Sequence, residues 1–184
     1  MKKFLKILTG IVASVFIIMI ARAMASTPNL ENYIAHSSSE YSFQYPSTWF
    51  VNDTPSGVRS FVSTTITNYD EAFYGSINNK PDYTTLSKIT IVKLPKDKNQ
   101  SFSAWLDAYI ALGKADWGTT VLSAEPISVD GYDAMLHTEQ LGSLPSPVVY
   151  IHKGNFVYIV IGGAFDEKLN AVFYQLVETF HFNS

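Results

Sequence analysis

His137 and Glu139 stand two residues apart in an alternating stretch, so on an extended strand both side chains point to the same face. An imidazole beside a carboxylate suits zinc or copper, or acid–base work in a hydrolase, and His152 in the following apolar stretch supplies a third group of the same kind. These three define one candidate reading, a small metal-dependent or hydrolytic enzyme using His137, Glu139 and His152. The plainer reading of the same residues is solvated polar positions on a sheet. The rest of the chain adds nothing to the chemistry. Cysteine is absent, no Gly-x-Ser-x-Gly elbow occurs, and the calcium-loop pattern Asp-x-Asn-x-Asp-Gly is missing. No cofactor is expected. His36 and His181 are isolated, and Asp166-Glu167 is explained as the acidic first turn of a helix.

A second constellation is aromatic. Tyr69, Phe73, Tyr74 and Tyr83 lie within residues 67–85, a long segment with neither helical nor strand period. Tyrosine combines large contact area with a polar tip. These four side chains therefore form either an exposed partner-binding patch or a cover folded back over an open end of the sheet.

The elements that must position these groups are legible from periodicity. Residues 125–129 and 132–140, the second bearing His137 and Glu139, flank Asp130-Gly131, a strong hairpin signal that sets Val129 opposite Tyr132 and Ile127 opposite Ala134. Residues 148–152 and 156–161 form another hairpin across Gly154-Asn155, reached through a connection over residues 141–147. A helix over residues 166–179 follows, with Asp166 as N-cap and Leu169, Val172, Phe173, Leu176, Val177 and Phe180 on one stripe. Residues 180–182 alternate and add a final short strand.

Earlier in the chain, residues 40–45 alternate as a half-buried strand ended by Pro46. Residues 49–51 and 58–66 make two strands across a turn at 52–57, and residues 89–94 make a central strand that stops at Pro95. Ser101 caps a helix over residues 101–113 whose stripe is Phe102, Trp105, Tyr109 and Leu112, with Leu106 at its margin. Few helices and many antiparallel hairpins define an α+β class, an antiparallel β-sheet flanked by helices.

The chain has 184 residues, of which 47% are hydrophobic and 14% aromatic, enough for one domain with an aromatic-rich core. Lys2, Lys3 and Lys6 precede an apolar run over residues 7–21, and Ala23 and Ala25 give a small-residue cleavage pattern before Ser26. Residues 1–25 are thus a signal peptide or, uncleaved, an N-terminal membrane anchor; residues 26–37 are a linker and residues 38–184 the domain. Removing residues 1–25 takes away four basic residues and no acid, leaving nine bases against 16 acids, a net charge of −7. An exported acidic chain excludes nucleic acid as a partner, and contact with membrane is expected only through the uncleaved segment.

Tyr41-Ser42-Phe43-Gln44-Tyr45-Pro46 followed by Trp49, the Val129-Asp130-Gly131-Tyr132 turn, Val157-Tyr158 after Gly154-Asn155, and Phe180-His181-Phe182 together resemble the PsbP-like domains. These are relatives of an extrinsic photosystem II subunit and share a fold with the nuclear-transport factor Mog1. The resemblance spans most of residues 38–184. It implies a Mog1/PsbP-like α/β/α sandwich and a non-catalytic, extracytoplasmic binding or assembly-accessory module, with an envelope or membrane-associated protein as partner. Secreted lipoproteins are common among bacterial members, but without cysteine this chain has no site for a lipid anchor.

Overall fold

A computed structural model of the chain describes residues 32–54, 61–70, 86–141, 144–164 and 167–183. All belong to one compact unit, residues Asn32–Ser184. The readings of residues 1–25 as signal or anchor fall outside the described residues, as do Asp166 and most of the aromatic segment. Among the described residues no helix is long and apolar enough to cross a membrane.

Two tight turns organise the main sheet. Strands β6 (Thr120–Val129) and β7 (Tyr132–Leu141) pair across Asp130 and Gly131, which take φ of 52° and 78°, the left-handed values a two-residue hairpin turn requires. Val129 faces Tyr132 and Ile127 faces Ala134, as the turn type predicts. Strands β8 (Leu144–Lys153) and β9 (Phe156–Ala164) pair likewise, with Lys153 opposite Phe156. With β3 (Phe50–Asp53), β4 (Val62–Thr67) and β5 (Ser87–Pro95) they form a seven-stranded antiparallel sheet ordered β3-β4-β5-β9-β8-β7-β6. A smaller sheet, ordered β1-β2-β10, contains β1 (Tyr33–Ser37), β2 (Tyr41–Pro46) and β10 (His181–Phe182).

One face of the large sheet is covered by the small sheet together with helix α2 (Glu167–Glu178). Val172, Phe173, Leu176 and Phe180 are buried there, on the expected stripe. Phe180 stacks on Tyr41 at 5.1 Å and lies near-parallel to Phe43, so three aromatic rings join the end of the helix to β2. Polar ties fasten the small sheet further. Tyr41 donates to Thr64 Oγ1 at 2.7 Å, Thr64 donates to Asp53 at 2.6 Å, and Glu40 accepts from Lys93 and, at 3.2 Å, from Tyr158.

Helix α1 (Phe102–Trp117) covers the opposite face, with Ser101 Oγ accepting the Ala104 amide at 3.1 Å. It runs past Gly113, the expected end, to Gly118, whose φ of 70° gives the left-handed C-terminal cap. Only Trp105 and Leu106 of its 16 residues are buried. Leu106 therefore belongs to the contact rather than to its margin, while Leu112, expected in the stripe, is 61% exposed. Strand boundaries differ as well: β6 begins five residues before the expected 125 and β9 runs three beyond the expected 161. Strand β1 lies in the stretch read as a linker, and β8 begins at Leu144 inside the expected connection. Pro145 and Pro147 fit β8 because over that portion it pairs with β7 alone; pairing with β9 starts at Val148.

Candidate functional site: an apolar groove beneath α1

The lightly attached α1 leaves a groove of about 370 Å³ between its C-terminal half and the sheet. Alternation along the strands builds the floor: Val148 and Tyr150 on β8 and Ile159 and Ile161 on β9 all face α1, as does Glu139 on β7. Tyr109, Leu112, Asp116 and Trp117 of α1 form the other wall. Trp117 is 71% exposed, so it and Leu112 present apolar surface that the core does not use.

Polar groups sit at one place on the floor. Glu139 Oε1 accepts the Tyr150 hydroxyl at 2.7 Å and lies 3.0 Å from His137 Nδ1. The side chains of His137 and Glu139 are only 6% and 12% exposed. Tyr150 packs edge-on to His137 at 5.1 Å and to Tyr109 at 5.9 Å, and Tyr109 stacks on Trp105 at 5.1 Å. Burial pushes the Tyr150 phenol well above its ordinary value of 10, and the hydrogen bond to Glu139 and that residue's charge push it further. Tyr109 is raised too, by burial first and then by the Glu139 charge. Both tyrosines are thus neutral phenols beside Glu139, and Tyr150 is hydrogen-bonded to it.

Of the candidate residues, the structure brings His137 and Glu139 together and leaves His152 apart. His152 lies four positions along β8 from Val148, the partner of His137 in register; its Nε2 is 3.0 Å from the Gly154 carbonyl, and its ring stacks on Phe102 at 5.3 Å. Among the described residues no three His, Asp or Glu side chains are placed to hold a metal ion. Of the aromatic set, Tyr69 is half-buried just beyond β4, where its carbonyl accepts from Thr67 Oγ1 at 2.6 Å. Phe73, Tyr74 and Tyr83 lie outside the described residues. Sequence reasoning missed Tyr150 and Trp117. Leu106, Ile110 and Trp117 recur at spacings of four and seven, a helical signal that extends the apolar surface beyond Gly113.

An antiparallel sheet with α1 on one face and α2 plus a small sheet on the other defines the α+β architecture of PsbP-like proteins. Among solved structures, cyanobacterial PsbP (CyanoP) from Synechocystis sp. PCC 6803 matches with a TM-score of 0.54 and 14% identity, over 83% of this chain and 93% of that one. PA94 from Pseudomonas aeruginosa, a protein of unknown function described as a putative regulator, matches with a TM-score of 0.50 and 12% identity, over 80% and 95% of the two chains. The chain therefore has a PsbP-like fold. No protein-family model matches it, and neither does any curated protein.

Proposed function

We propose that the protein is a non-catalytic binding or assembly-accessory module that works outside the cytoplasm and engages a membrane-associated component of the envelope through the groove beneath α1. The observation that carries this reading is the groove itself, an open apolar cleft whose outer wall leaves Leu112 and Trp117 largely in solvent. Concave apolar surface with a few convergent polar groups is the usual form of a ligand site. The likeness to a cyanobacterial PsbP supports an accessory role. The basic, apolar and small-residue order of residues 1–25 supports export, whether that segment is removed or kept as an anchor. Binding is preferred to catalysis because Glu139 is engaged by Tyr150 and His137 while His152 is occupied elsewhere.

Cell fractionation with mass measurement of the native N-terminus tests the location, and a cytoplasmic protein beginning at Met1 would sink the export reading. A photoreactive residue at position 117, compared with one at the exposed Lys98, tests the groove in living cells. An adduct seen by intact mass only at position 117 is the expected result. Identical adducts at both positions would remove the groove as the binding surface.

A further inference from the structure

We infer that the groove beneath α1 selects an amphipathic amine, an aliphatic chain carrying an ammonium head; this rests on the groove being the binding surface proposed above. The walls explain the chain. Leu112 overhangs a floor lined by Val148, Ile159 and Ile161, an aliphatic lining without a charge among these four. The head group follows from the hydrogen-bonding capacity of the floor. Tyr150 has one proton to donate and commits it to Glu139 Oε1, where His137 Nδ1 also points. Glu139 Oε2 receives no hydrogen bond from the described residues. Tyr150 itself is buried, so what the floor leaves for a ligand is acceptor capacity on the Glu139 carboxylate, whose side chain is 12% exposed. An ammonium group, with three donors and no acceptor, is the complement of this carboxylate; a carboxylate or phosphate head would set like charge against Glu139.

Charge and aromatic placement agree. Asp116 adds a second carboxylate at the rim, and no lysine or arginine lines the groove among the described residues. The two charges of one sign beside apolar walls attract a cation and repel an anion. The Tyr109 and Trp117 rings, about two turns apart on α1, add aromatic surface of the kind that favours ammonium ions. The Tyr109, Ser146 and Thr119 hydroxyls and the Trp117 indole N–H, also on the lining, can donate, but all are neutral and leave the sign of the charge unchanged.

The test titrates the purified full chain with octylamine, octanol and octanoate, following heat and tryptophan fluorescence at neutral pH. Octylamine is expected to bind saturably and at least about tenfold more tightly than octanol, the scale of one charge-assisted hydrogen bond, with octanoate weaker still. Glu139→Gln should bring the amine-to-alcohol ratio close to one. Asp116→Asn, at the exposed rim, should lower amine affinity by a few-fold while leaving octanol unchanged, and it keeps the test decisive if Glu139→Gln disturbs folding. Trp117→Ala should weaken both the amine and the alcohol, and the amine more, because the ring face also attracts the ammonium. Octanol or octanoate binding as well as octylamine would overturn the amine assignment and leave the groove as a binding site. An amine preference surviving both carboxylate substitutions would overturn it as well. Failure of all three probes would sink the inference alone if the position-117 adduct still forms in cells, and the groove reading with it if that adduct is absent.

Discussion

Asp130 and His181 meet across 51 residues of sequence, with His181 Nδ1 at 3.0 Å from Asp130 Oδ1. The other carboxylate oxygen accepts the Phe182 amide at 2.8 Å, so the turn that sets the β6/β7 register also clasps β10. The His181 hydrogen bond, and after it the Phe182 amide, hold the Asp130 carboxyl below its ordinary value of 3.8.

A lowered carboxyl pKa contributes stability that is present above the unfolded value and lost as pH falls through the folded one. Melting temperatures of wild type and Asp130→Asn are therefore expected to differ at neutral pH and to converge on acidification below about pH 4. Parallel curves over that range would mean that the clasp contributes nothing.

The phase of α2 gives a sharper test. Phe173→Ala and Leu176→Ala remove fully buried side chains and should each cost about 2–5 kcal/mol in denaturant unfolding. Tyr174, one position away, is 41% exposed, and Tyr174→Ala should cost under about 1 kcal/mol. Equal losses at Phe173 and Tyr174 would contradict the packing.

Gly162 on β9 permits α2 to approach the sheet. A Cβ at this position would lie 2.9 Å from Phe173 Cδ2 and 2.9 Å from Pro147 Cγ, closer than packed atoms tolerate. Gly162→Ala should destabilise by about 1–3 kcal/mol through overpacking, and Gly162→Ala combined with Phe173→Leu should recover part of that. A neutral Gly162→Ala in chemical denaturation would show that helix and sheet have slack here.

Tyr41 is expected to titrate late. Burial, only partly offset by the hydrogen bond with Thr64, pushes its phenol up to about 12. A raised tyrosine pKa stabilises the fold fully below the ordinary value near 10, and that contribution is lost as pH rises through the folded value. Ultraviolet titration should show native phenolate absorbance lagging that of the unfolded chain above about pH 10, with a smaller lag in Tyr41→Phe. Identical native and unfolded titrations would refute this burial.

Where the sequence was informative, local chemistry dictated geometry. Asp130-Gly131 admits few turns, so the pairing of Val129 with Tyr132 could be read residue by residue. The reading of residues 26–37 as a linker missed β1 at Tyr33–Ser37, because polar, serine-containing stretches serve linkers and hairpin turns alike. Here Ser38 Oγ accepts the Glu40 and Tyr41 amides and turns β1 into β2. Gly113 looked like a helix end, yet intrahelical glycine is tolerated, and the left-handed cap comes at Gly118. The groove was hidden for a related reason. Leu112 lies at helical spacing from Tyr109, and periodicity cannot separate a residue pressed on the sheet from one overhanging a cleft. Likewise His137 and Glu139 could be placed on one face, but their meeting with Tyr150 depends on strand order, which alternation does not contain.

Strand β2 has β1 on one side and β10 on the other, so its second neighbour is encoded some 140 positions downstream of its first. Synthesis runs in one direction. Tyr41 and Phe43 emerge early, yet the Phe180 ring that covers them arrives only when most of the chain has been made. The covering of this aromatic pair therefore comes late in synthesis, and a polypeptide truncated before residue 180 lacks both the Phe180 ring and β10 that complete the small sheet.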